Sequence, residues 1–141
     1  MLRMILVAVL AGGLLVSLAA GAEPPDLSGL WKADLPKCDF GMESVPADLI
    51  YRVGQIGLAL SVERVRQKGG KETKTARSFE ARWDGTALLV EYHTTYQGYE
   101  LQVSEKWSLS DDKTTMTVLR AVSASSGETG QRLVFHKEPP K

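Results

Sequence analysis

Glu105 and Arg120 are the charged residues that interrupt otherwise apolar strand faces. From Tyr99 to Leu109, the residues Leu101, Val103, Trp107 and Leu109 alternate with Gln102, Ser104, Lys106 and Ser108. That is the period-two pattern of a half-buried strand, and Glu105 falls on its apolar side. Arg120 shares the parity of Met116, Val118 and Val122. If residues 111 to 114 join the two strands with Leu109 opposite Met116, counting back sets Trp107 against Val118 and Glu105 against Arg120. Burying a polar group without a partner costs about 1–3 kcal/mol, and a charge more, so pairing is expected. Such a pair either satisfies itself as an interior or rim ion pair, or anchors the polar head of an otherwise apolar ligand. Tyr51 and Tyr92, also on apolar faces, would add hydroxyls to a ligand site.

The remaining chemical inventory is sparse. His93 alternates with Glu91 on the expected outer face of its strand, and two ligands at that spacing make a weak metal site. His136 lies beside a charged tail, where a solvated side chain is the ordinary outcome. The chain has no Gly-x-Ser-x-Gly elbow, phosphate-binding glycine loop or His-Glu-x-x-His pair, so no catalytic residue, metal or cofactor is expected. A pair of acidic residues brought together only in space would escape this reading. Cys38 is the only cysteine and cannot form an internal disulfide, which leaves stability to packing. A lone loop cysteine is more often inert than reactive or paired between chains.

The elements that must position these residues are strands. Apolar alternation recurs at Leu58, Leu60 and Val62; at Phe79, Ala81 and Trp83; at Leu88, Val90 and Tyr92; and at Leu133 and Phe135. Turn signals separate the runs at residues 54–57, Lys68-Gly69-Gly70-Lys71, Asp84-Gly85, Gln97-Gly98, 110–113 and 125–130. With segments around Trp31 and Tyr51 the count is eight strands in a meander after a longer first loop. Such a meander hides its edges most economically as an antiparallel up-and-down β-barrel; a two-sheet β-sandwich is the alternative. Eight strands enclose an interior that side chains just fill or that holds one small ligand. Lys68, Lys71, Lys74 and Arg77, interleaved with Glu72, read as a solvated hairpin edge.

Leu27-Ser28-Gly29-Leu30-Trp31-Lys32 is similar to the Gly-x-Trp opening of the first strand in lipocalins and related calycins. The chain also resembles small exported bacterial lipocalin-like proteins of unknown function, in which segments such as Trp83-Asp84-Gly85 and Trp107-Ser108-Leu109-Ser110-Asp111-Asp112 recur. The resemblance implies a barrel floor built on Gly29 and Trp31, with an arginine near the last strand stacked on the tryptophan, the role of Arg132 here. The C-terminal helix and disulfide of secreted lipocalins have no counterpart in the sequence.

Residues 1 to 22 read as a cleavable signal peptide. Arg3 precedes an uncharged apolar run from Met4 to Val16, about 13 residues against the roughly 20 of a membrane span. Ala20 and Ala22 supply the small residues before a cleavage site. Cleavage leaves a single domain over residues 23 to 141, in a periplasmic or extracellular setting. Loss of Arg3 leaves 16 basic residues against 17 acidic, which excludes the basic excess that nucleic acid or an anionic membrane would select. No asparagine is present, so N-linked glycosylation is excluded. The expected function is binding of a small, largely apolar molecule inside the barrel. The alternative is a protein-binding module, akin to exported protease-inhibitor barrels, that inserts Glu23-Pro24-Pro25-Asp26 into a partner.

Overall fold

Residues 25–85 and 87–139 of the chain are described by a computed structural model. The leader expected at residues 1 to 22 lies outside them.

Alternating side chains produce nine strands: β1 (Gly29–Ala33), β2 (Asp48–Ile56), β3 (Ala59–Lys68), β4 (Lys71–Glu80), β5 (Arg82–Asp84), β6 (Ala87–Tyr96), β7 (Tyr99–Leu109), β8 (Thr115–Ala124) and β9 (Gly127–Lys137). All pair antiparallel in one sheet of order β4-β3-β2-β1-β9-β8-β7-β6-β5. The first and last strands therefore meet mid-sheet, and the two edges are neighbours in sequence. This is a curled up-and-down meander in one sheet, so the sandwich alternative is not the fold.

The structure corrects the sequence reading at three points. The count is nine strands and not eight, because Lys71–Glu80 is a strand of its own. The run Phe79, Ala81, Trp83 is not one strand: the chain leaves β3 at Ala81, whose N–H donates to the Leu58 carbonyl at 2.8 Å, and then pairs with β6. Among the described residues no backbone ladder joins β4 to β6. Side chains bridge that seam instead. Phe79 packs on Tyr92 with ring centroids 5.0 Å apart, and the Arg77 guanidinium donates to the Thr94 hydroxyl at 3.2 Å.

The interior is apolar and filled at one end. Leu27, Trp31, Leu88, Met116, Leu133 and Phe135 are fully buried there. The Trp31 indole N–H donates to the Leu27 carbonyl at 2.8 Å, which satisfies its only polar atom. Gln55 ties the entering chain down, accepting from the Leu27 N–H and donating to the Pro25 carbonyl, both at 2.8 Å.

Arg132 is the third correction. It pairs with Leu119 and is exposed, because Leu133 and Phe135 point inward and a residue one step away points out. The cation over Trp31 is Lys137, its Nζ 5.7 Å from the ring centroid, at the position where a side chain on Gly29 would sit 3.0 Å from Lys137 Cε.

Candidate functional site

Above the filled end, the interior opens into a cavity of about 150 Å³ lined by Tyr51, Val62, Arg64, Thr75, Arg77, Phe79, Tyr92, Glu105, Trp107 and Arg120. Strand alternation delivers each of them. Tyr51 on β2 lies opposite Arg64 on β3, Val62 opposite Arg77 on β4, and Trp107 on β7 opposite Leu88 on β6.

The register deduced from the β7–β8 turn is the one observed. Leu109 faces Met116, Trp107 faces Val118 and Glu105 faces Arg120. The turn holds that register through Asp112, whose carboxylate accepts from the Ser110 hydroxyl at 2.6 Å and the Thr114 hydroxyl at 2.8 Å. These bonds hold the Asp112 carboxyl below the usual carboxylate range.

Glu105 and Arg120 approach to 3.4 Å, with side-chain exposures of 5% and 14%, low enough that water cannot screen the pair as at a surface. Glu105 also accepts from the Trp107 indole N–H at 2.8 Å and from the Tyr92 hydroxyl at 3.2 Å. Arg120 donates in turn to the Tyr92 hydroxyl at 3.3 Å and to Gln131 Oε1 at 3.4 Å. Burial works against the Arg120 charge, but Tyr92 and Glu105 more than offset it, so its pKa lies above the ordinary arginine value. Burial likewise pushes the Tyr51 hydroxyl up to about 12 and raises that of Tyr92. Tyr51 is wedged between Phe135 and Trp107, with ring centroids at 4.4 and 5.9 Å. All four residues singled out from sequence, Tyr51, Tyr92, Glu105 and Arg120, thus line one cavity.

Sequence reasoning missed the other half of the lining. Read along the chain, the charges of residues 63 to 80 look mixed. Folded as a hairpin, they sort by sign: Arg64, Arg66, Lys68, Lys71 and Arg77 share the inner face, while Glu63, Glu72 and Glu80 share the outer face with Lys74. Carrying the Leu60 and Val62 alternation two residues further would have placed Arg64 inside. Arg77 also sits over the Tyr92 ring at 4.8 Å. At the rim, loop residue Glu43 reaches Arg66 at 4.0 Å, and Ser44 takes hydrogen bonds from Arg66 and Lys68.

The remaining chemical candidates lie elsewhere. His93 and Glu91 are exposed on the outer face, with Glu91 paired to Arg82 at 3.6 Å. His136 sits 2.8 Å from Asp34. Among the described residues no group of three His, Cys, Asp or Glu side chains could hold a metal ion. Cys38 is half-buried and its sulfur accepts from the Val134 N–H at 3.3 Å; burial raises its thiol pKa. Of the N-terminal segment, residues 25 to 27 are held against the barrel through Gln55 and do not project.

No protein-family model matches the chain, and no curated protein matches it. Among solved structures it is similar to zebrafish ileal bile acid-binding protein in complex with cholic acid, at 10% identity and a TM-score of 0.49, over 79% of this chain and 98% of that one.

Proposed function

We propose that this protein is an exported binding protein that holds a small, largely apolar molecule in its interior, beside the Glu105–Arg120 pair. The observation that carries this reading is the cavity itself, left open in a barrel whose other end is packed solid. Its volume of about 150 Å³ matches that of apolar cavities that take up a benzene-sized group. Tyr51, Val62, Phe79 and Trp107 would contact the apolar part of such a ligand, and the tyrosine hydroxyls and the ion pair its polar atoms. Glu105 and Arg120 neutralise each other, so their part is to orient a ligand by hydrogen bonds and not to neutralise one.

Native mass spectrometry of protein purified from its producing cells tests the reading. The expected result is a polypeptide starting at Glu23 that carries a reproducible extra mass, lost on denaturation and lost in Val62→Trp, whose indole would fill the cavity. A bare native mass, with no uptake of benzene-sized compounds at millimolar concentration, would overturn it.

A further inference from the structure

The cavity carries an unbalanced charge. Its lining holds three arginines and one glutamate, and that glutamate is committed to Arg120 at 3.4 Å. Arg64 and Arg77 have no carboxylate within 4.0 Å among the described residues. Arginine cannot shed its proton in a protein, so both positive charges persist whatever the pH. The Nε atoms of Arg64, Arg66 and Arg120 are buried without a hydrogen-bond acceptor; Arg120 has Glu105 and Arg66 has Glu43 as a nearby carboxylate, and Arg64 is the one of the three with neither acceptor nor counter-charge among the described residues. Arg64 lies directly across from Thr75, and Arg77 is two residues along the same face, so the guanidiniums are diagonal neighbours within reach of one bound group. Arg64 is half-buried and Arg77 exposed, so water screens part of their mutual repulsion and an anion seated between them relieves the rest.

We propose, resting on the interior-binding reading, that the ligand is an acid: a small amphiphile whose carboxylate or sulfonate is clamped by Arg64 and Arg77, with the Thr75 hydroxyl between them, while its apolar body lies against Tyr51, Val62 and Trp107. The acid group supplies the acceptors Arg64 lacks and the charge the hairpin face lacks. Arg–carboxylate pairs are bidentate and directional, so the clamp selects for acids over amides or alcohols of the same shape. Arg66, Lys68 and Lys71, further out on the same inner face, line a cleft of their own that extends the positive field toward the mouth.

Calorimetric titration with benzoate, benzamide and toluene separates the possibilities, since the three share one ring and differ in charge and polarity. Benzoate is expected to bind at least about tenfold more tightly than benzamide. Arg64→Gln and Arg77→Gln should each erase most of that preference. Neither substitution removes an ion-pair partner, and circular dichroism with thermal unfolding verifies that each variant folds. Equal binding of benzoate and benzamide, or a preference that survives in both variants, overturns the acid clamp and leaves interior binding standing. Failure of all three compounds to bind overturns interior binding, and the clamp with it.

Discussion

Replacing Glu105 by leucine should destabilise the protein far more than replacing Glu105 and Arg120 together. In the single variant the Arg120 guanidinium, 14% exposed, loses its counter-charge, and the Trp107 indole N–H loses its 2.8 Å acceptor. Breaking one side of a buried ion pair costs about 3–5 kcal/mol. The indole N–H belongs to the same network, so its loss is part of that figure and not an addition to it. Against the roughly 5–15 kcal/mol that holds a domain of this size folded, this removes a fifth or more of the total stability. At about 4 °C per kcal/mol, its Tm should fall by about 12–20 °C. Glu105→Leu combined with Arg120→Met removes both charges and fills the space with apolar atoms, leaving the indole N–H as the main loss, about 1–2 kcal/mol. Urea unfolding of the wild type, the two single variants and the double variant, followed by tryptophan fluorescence, gives the four free energies of the cycle, which should yield a coupling of at least about 2 kcal/mol. A cost below about 1 kcal/mol for Glu105→Leu, or a double variant as unstable as the sum of the singles, would refute the account of a buried, mutually dependent pair.

Alkaline unfolding should report Tyr51. Its hydroxyl is raised from 10.0 to about 12, so its contribution is complete below pH 10 and is lost as pH rises from 10 toward 12. The loss amounts to about 3 kcal/mol at most, and Tyr51→Phe should flatten it in unfolding free energies measured from pH 8 to 12. Cys38 should react with iodoacetamide at pH 8 more slowly than a free thiol, because burial raises its pKa; mass spectrometry of the alkylated fraction over time measures this. Gly41→Ala should cost about 2 kcal/mol or more, since φ is +64° and the new Cβ would meet the Gly130 carbonyl oxygen at 2.6 Å. Gly69→Ala, at φ +60° in open space, should cost only the backbone strain of about 1 kcal/mol, and equal Tm shifts for the two would contradict the clash.

The sequence by itself determined the strand character and most of the one-sided burial, because a strand's side chains alternate with period two whatever lies beyond them. It determined the β7–β8 register too, because a short turn leaves little freedom in how two strands align, and Glu105 and Arg120 follow from that count. The tertiary structure decided what local order cannot carry. Ala81 ends one strand because the sheet curls, and the chain must there exchange β3 for β6. The cation over Trp31 is Lys137 and not Arg132, because strand parity turns Arg132 outward while the end of β9 lies against Gly29. The charges of β3 and β4 separate by sign only when the hairpin gives them an inside and an outside. Whether the barrel is filled depends on how Tyr51, Phe79, Tyr92 and Trp107, contributed by four strands, meet in space, and their packing leaves a cavity next to Arg64 and Arg77, which among the described residues have no carboxylate partner.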